Sequence, residues 1–492
     1  MEMTGRAVIL HIIALMAVCA ACSAQAREPV VAGKFYTADA AELTREADAW
    51  LTVPKDAKKP AGGIVAVLAP HAGYEFSGRL AAMSYWFVKD SYDVVVILAT
   101  GHTEAVKGAG LLASDDYRTP LGLVPTDREL AAALMKVSPL FENRPSAHAR
   151  EHAVEVQLPF LQRRLKKPFK LLAAVMNTDD LGTARAVGAA LASALKGKKA
   201  LIVVSSDFSH YPPKAVAAEA DGAMLLAIRS MDPELVWTTS HYLLRKRIPG
   251  LETCACGEAA LEAGMEAARR LGAASFHLLK MSDSNSESPK AGPESVVGYI
   301  SGLFVKSGRA PDLSLSADEK AVLLKEARVT LERQFSGTPQ PEGLDPDPRL
   351  NLPGAAFVTL TKGGSLRGCV GTVTPAMTLT DAVRYGAFAA AFRDGRFHPL
   401  GKEELADVRI EVSVLSPLRP AKASAVKKGD GVVVARDGKS GLFLPQVWEQ
   451  IPDKEAFMGE LCEQKAGLPR DCWKQPGTTI YSFGVDAFEE KK

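Results

Sequence analysis

The sequence predicts an α/β domain built on a parallel sheet, followed by a smaller α+β domain. Upstream of residue 305, short apolar runs alternate with longer Ala- and Leu-rich helical segments, the pattern of parallel strands joined by crossover helices. Downstream, Val408, Ile410, Val412 and Val414 alternate with Arg409, Glu411 and Ser413, which marks a half-buried strand. Val432-Val433-Val434, Asp437-Gly438 and Leu442-Phe443-Leu444 read as a hairpin with a tight turn, so the second part is mostly antiparallel. Between the two, residues 306–315 are small, polar and Pro-containing, as in a linker. Ser316 then opens a capping box with Glu319, ahead of a helical pattern at Leu323, Leu324, Ala327 and Leu331. The resulting division is a leader over 1–26, a first domain over 27–305, and a second over 316–492.

The chain has 492 residues, with 59 basic side chains against 57 acidic ones. That length suits two or three domains, and the near-neutral balance removes the electrostatic reason to expect a nucleic-acid partner. Ala7 to Ala21 is almost unbroken apolar sequence behind Arg6. At about 15 residues it is too short for a membrane-spanning helix and suits the core of a secretory leader. Ala24-Gln25-Ala26 fits a cleavage site that leaves Arg27 as the mature N-terminus. The competing reading is lipoprotein processing at Ala20-Ala21-Cys22, with a lipid on Cys22 as the one membrane attachment. Either way the sequence predicts export to the periplasm. The mature chain then carries Cys254, Cys256, Cys369, Cys462 and Cys472, an odd number, so at least one thiol is free, metal-bound or paired outside the chain.

The chemistry concentrates behind four apolar runs of the first domain. Ile64–Leu68 leads into Pro70-His71-Ala72-Gly73, Val94–Leu98 into Gly101-His102, Leu171–Val175 into Asn177, and Ala200–Val204 into Asp207-Phe208-Ser209-His210. Open parallel sheets bind ligands beyond the carboxyl ends of their strands, so these residues are expected to converge on one crevice. Imidazole is the commonest protein metal ligand, and three histidines at strand ends favour a metal site over isolated structural histidines. His152 lies in Glu151-His152-Ala153-Val154-Glu155, outside the strand-end set. Cys254-Ala255-Cys256-Gly257 precedes Glu258–Leu271, which has helical composition. A helix N-terminus lowers a thiol pKa, and thiolate is the metal-binding form. A buried inert thiol and a redox pair are the other readings of that segment.

Pro70-His71-Ala72-Gly73-Tyr74, Gly101-His102-Thr103, Glu151-His152-Ala153-Val154-Glu155, Ser205-Ser206-Asp207-Phe208-Ser209-His210 and Cys256-Gly257, in that order, resemble the Memo family over roughly residues 28–305. That family is similar to the class III extradiol dioxygenases, which use non-haem iron in an α/β fold. The resemblance implies His71, His102 and Cys256 as metal ligands, with Asp207 and His210 lining the same pocket and His210 as the acid–base group. A thiolate stands where the dioxygenases have a carboxylate, which shifts the expected metal toward softer ions. The expectation is one iron(II) or copper ion, ahead of zinc, in an oxidoreductase-like protein acting on a small molecule. The alternative is a metal-binding scaffold without turnover.

In the second part, Leu366-Arg367-Gly368-Cys369-Val370-Gly371-Thr372 and Asp394-Gly395-Arg396-Phe397-His398-Pro399-Leu400 resemble the AMMECR1 family over roughly residues 316–487. Here Arg367 reads as free to bind an anion, and Cys369 as a packed strand thiol. The two families together resemble the AmmeMemoRadiSam system, which implies a radical S-adenosylmethionine protein as a partner. The chain has no C-x3-C-x2-C cluster of its own.

Overall fold

The computed structural model describes residues 26–288 and 290–491. The apolar leader core and the alternative lipid site at Cys22 lie outside the described residues. Among those described, no helix is long and apolar enough to cross a membrane.

The first domain holds eleven strands: β1 Ala26–Arg27, β2 Ile64–Ala69, β3 Val94–Thr100, β4 Ala109–Leu111, β5 Asp116–Thr119, β6 Gly122–Val124, β7 Phe141–Asn143, β8 Lys170–Met176, β9 Ala200–Ser205, β10 Ser275–Asp283 and β11 Gly298–Val305. Eight of them form one sheet in the order β10-β11-β2-β9-β3-β8-β4-β7, and β1, β5 and β6 form a small separate sheet. The four central strands are parallel, with β2 and β3 flanking β9, and β3 pairing onward with β8. Toward the edges the sheet turns antiparallel, at β10-β11-β2 and between β4 and β8. The expected parallel sheet therefore forms the centre, and the antiparallel pairs lie toward its edges.

Strands covered on both faces read as continuous apolar runs, and the faces separate by alternation. Val94, Val96 and Leu98 pack with the helices Leu181–Leu195, Lys214–Arg229 and Glu258–Arg270. Val95, Ile97 and Ala99 pack on the other side with Ala40–Leu51 and Leu158–Arg164. The carboxyl ends of β2, β9, β3 and β8 consequently lie in a row along one rim, between two cores.

The second domain begins with the helix Ala317–Ser336, whose Ser316–Glu319 capping box is formed and which ends at Gly337 in the left-handed region. Its main sheet orders β13 (Ser365–Gly371), β12 (Pro353–Lys362), β15 (Val408–Leu415) and β20 (Val485–Glu489), all antiparallel, with β14 (Met377–Thr378) also on β12. The second sheet contains β16 (Arg419–Pro420), β17 (Gly431–Arg436), β18 (Lys439–Phe443) and β19 (Thr479–Phe483). β17 and β18 are the expected hairpin. Asp437 and Gly438 turn it with φ of 50° and 75°, the two positive dihedrals that match hairpin twist. The domains are docked: Leu352 joins the core beneath the Lys214–Arg229 helix, and Lys246 reaches Asp381 at 2.5 Å.

The Glu258–Arg270 helix sits tightly on Leu181–Leu195, since a Cβ at Gly188 would lie 2.3 Å from the Ala263 carbonyl oxygen. Gly188→Val is expected to cost about 1–3 kcal/mol through overpacking, read as a lowered thermal midpoint. An unchanged midpoint overturns that packing account.

Candidate metal centre

His71 follows β2 and is fully covered by the loop after β9. Its backbone N–H donates to Asp207 Oδ1 at 2.7 Å, and its Nδ1 lies 3.0 Å from Ser205 Oγ. Ser205 spends its own hydroxyl proton on the Ala153 carbonyl at 2.8 Å, so toward His71 it accepts. The proton of His71 is thereby fixed on Nδ1, leaving the Nε2 lone pair free. His102 follows β3 and obeys the same logic with a different partner. Its Nδ1 donates to Glu151 Oε1 at 2.9 Å and its backbone N–H to Glu151 Oε2 at 2.7 Å. The His152 ring stacks on His102 with centroids 4.6 Å apart, its Nδ1 3.5 Å from Glu151 Oε1. One ligand atom each from His71, His102 and His152 lies within 4.8 Å of the others. His102 is 31% exposed, which leaves this side open to solvent.

Cys256 closes the cluster from the start of the Glu258–Arg270 helix. Its Sγ stands 3.1 Å from His71 Nε2 and accepts the Asp207 backbone N–H at 3.3 Å. Gly257 is required next to it, because a Cβ there would lie 2.8 Å from the Ser205 carbonyl oxygen. The expectation that the helix terminus lowers this thiol pKa is not met. Burial pushes the Cys256 thiol up, and the Asp207 carboxylate adds to it. Cys254, two residues away, is buried in the core with Sγ 3.9 Å from the Ser240 carbonyl oxygen, the bland reading of that thiol.

Burial dominates the other groups too. It pushes His71 down to about 3, with His102 adding to the effect, and His152 to about 4. The 4.0 Å approach of His71 Nε2 to Asp207 Oδ2 is therefore not an ion pair. Burial also raises the Asp207 carboxyl and lowers His210, Asp207 opposing the latter. Glu151 goes the other way: against the upward push of burial, the His102 ring and the N–H groups of Ala153 and His102 hold it at about 2. His210 Nε2 is buried and has no hydrogen-bond partner.

The four strand ends thus carry what the sequence placed there, with one exception. Asn177 is outside the crevice, where it pins the loop after His102: it accepts the Val106 N–H and donates to the Gly101 and Glu104 carbonyls, each at 2.8 Å. His152 and Glu151 are the residues that strand-end reasoning passes over; the signal was an adjacent Glu-His pair. In the second domain Arg367 is not a free cation, since Glu404 takes it at 2.9 and 3.2 Å. Cys369 accepts the Thr359 hydroxyl at 3.3 Å. Cys462 and Cys472 form a disulfide, and Cys254, Cys256 and Cys369 are free.

Fold and site together define an α/β protein with a histidine cluster suited to a metal ion at the carboxyl ends of parallel strands. Residues 27–303 match the family model described as Memo-like protein, and the chain belongs to that family; residues 324–488 match AMMECR1, fused behind it. A MEMO1 family protein of Nitrosopumilus maritimus is 34% identical over 283 residues, covering 57% of this chain and 99% of that one. Another, from Aquifex aeolicus, is 34% identical over 281 residues, with 57% and 99% covered. A solved structure of an uncharacterised Pyrococcus horikoshii protein is 34% identical, covers 36% of this chain and 94% of its own, and has a TM-score of 0.34.

The donor set makes a measurable distinction. With His71 and His152 neutral and Cys256 protonated in the metal-free chain, uptake through Cys256 releases its thiol proton, whereas uptake through His71 and His152 releases almost none at pH 7. Calorimetry in two buffers of different ionisation enthalpy reads that number, and Cys256→Ala is expected to abolish the release.

Stability of the metal-free chain also has a predicted sign. His148, held between the Tyr117 hydroxyl at 2.7 Å and the Gly110 carbonyl at 2.9 Å, is pushed down to about 4 by burial. The unfolded chain protonates first as pH falls, so this contribution is complete above pH 6.5 and is lost between there and 4. It amounts to roughly 3 kcal/mol at most. Thermal midpoints are expected to fall over that range, less steeply in His148→Gln.

Proposed function

We propose that the first domain holds one redox-active metal ion, iron(II) or copper ahead of zinc, and acts on a small molecule as an oxidoreductase. The observation that carries this is the fixed orientation of His71 and His102. Ser205 and Glu151 take their Nδ1 protons, and both Nε2 lone pairs are left for a cation, with Cys256 and His152 beside them. Outer partners that set tautomer and ring angle are what a metal site requires. Bound there, the ion supplies Lewis-acid and one-electron chemistry.

The remaining chemistry belongs to the chain. His210 is kept neutral by burial, and its unpartnered Nε2 takes a proton from a substrate hydroxyl and returns it later. Asp207 spends Oδ1 on the His71 N–H and thereby orients His71 as well as the loop that bears His210. Phe35, 4.8 Å from the His152 ring, excludes water on that side, and substrate enters past the half-open His102. The leader and the Cys462–Cys472 disulfide support export to the periplasm. The fusion of the two domains supports a radical S-adenosylmethionine partner.

Metal analysis of the untagged mature protein tests the centre. Near-stoichiometric iron or copper, lost in His71→Ala, is expected; no metal after anaerobic reconstitution overturns the reading. His210→Ala is expected to retain the metal and lose at least 100-fold in turnover, read as substrate-dependent oxygen consumption, in line with the ~10²–10⁴-fold worth of a general acid–base. Undiminished turnover removes His210 from the mechanism.

A further inference from the structure

The segment just behind the leader is built into the wall of the crevice. Arg27 is 8% exposed, its guanidinium lies over the Tyr117 ring, and all of its hydrogen bonds go to one stretch of chain, residues 148–155. Nε donates to the His148 carbonyl at 3.0 Å, one terminal nitrogen to the Glu151 carbonyl, and the other to the Glu155 carboxylate. Glu155 is fully buried and also accepts the Val30 and Val31 N–H groups, at 2.9 and 3.1 Å, and the Tyr36 hydroxyl at 2.6 Å. Phe35, farther along the same segment, lies on His152 and accepts the Tyr74 N–H through its carbonyl at 2.7 Å.

The stretch that Arg27 grips is the one that positions two of the three histidines. Glu151 receives Arg27 on its carbonyl, while its carboxylate takes the His102 ring and the N–H groups of His102, His152 and Ala153. A buried ion pair is a poor source of net stability compared with apolar packing of the same volume. What a guanidinium supplies and an apolar side chain does not is a planar fork that ties two carbonyls and a carboxylate at fixed angles.

We propose that Arg27 is a positioning residue of the metal centre: by clamping residues 148–155 it sets Glu151, and through Glu151 the angles of His102 and His152. The inference rests on the metal reading above and adds to it a role for the N-terminal segment. It makes correct docking of Arg27 a condition for a correctly shaped site.

Cobalt(II) alone is the probe, titrated against a competing chelator into the full mature chain, with its visible spectrum recorded. Arg27→Met is expected to weaken cobalt binding about 10–100-fold, the usual worth of an outer partner of a metal ligand, and to move the d–d bands. Arg27→Lys retains a cation beside Glu155 and lacks the fork for the carbonyls, so it is expected to show the same band shift with a smaller loss; it decides the matter if the Met variant fails to fold. Leu323→Ala, in the core of the second domain, serves as a destabilised control and is expected to leave the spectrum alone. Folded Arg27 variants with wild-type affinity and spectrum overturn the inference while the metal reading stands. A wild-type chain that binds no cobalt overturns both.

Discussion

A single buried carboxylate organises the crevice. Glu151 is fully inaccessible, and among the described residues no Arg or Lys side chain reaches its carboxylate; four N–H groups, from His102 twice, His152 and Ala153, satisfy it. Hydrogen bonds of that kind keep a carboxylate ionised where burial alone would neutralise it. The charge therefore stays in a low-dielectric place, beside the His152 ring and the His102 ring, whose Nδ1–H bond to it turns Nε2 away. A cation held by the His71, His102 and His152 cluster would lie close to that charge. Moving Glu151 moves both ring angles and the local potential together.

The sheet explains why such a cluster assembles at all. Four parallel strands end on one rim, and each end contributes a short loop rather than a long excursion. His71 and His102 therefore arrive from the two strands that flank β9, and Asp207 and Cys256 are locked to each other: the Cys256 N–H donates to the Asp207 carbonyl at 3.1 Å and the Asp207 N–H to Cys256 Sγ at 3.3 Å. Helix packing matters in the same way. The Glu258–Arg270 helix brings Cys256 to the rim only because Gly188 lets it lie against its neighbour and Gly257 lets its first turn lie against Ser205.

That frame was legible in the sequence because strands buried on both faces leave uninterrupted apolar runs, and the residues after those runs stand out. His152 was not, since it sits in an irregular segment with no period, placed by hydrogen bonds to Glu151 and by the grip of Arg27 some 120 positions away in the chain. Asn177 and Arg367 show the converse. Both have the right residue type in a suggestive place, and both are consumed by partners that only the tertiary structure brings near. The antiparallel edges leave no such signal, because pairing direction depends on the path of the connection and leaves no mark in the apolar pattern of a strand.

The thiol shows how far local rules reach. A cysteine at a helix N-terminus is stabilised as thiolate by nearby amides, and from sequence alone that argument points down in pKa. In the folded chain the same cysteine is covered, faces the Asp207 carboxylate and lies 3.1 Å from an imidazole nitrogen that has only a lone pair to offer. The metal-free state is then a neutral thiol donating to a neutral imidazole. For Cys256 to serve as a ligand beside His71, that proton has to leave. Burial that suppresses the Cys256 thiolate also shields the thiol from oxidation. Metal uptake through Cys256, as proposed, would exchange that proton for the ion, and affinity would then rise with pH until the thiol no longer limited it.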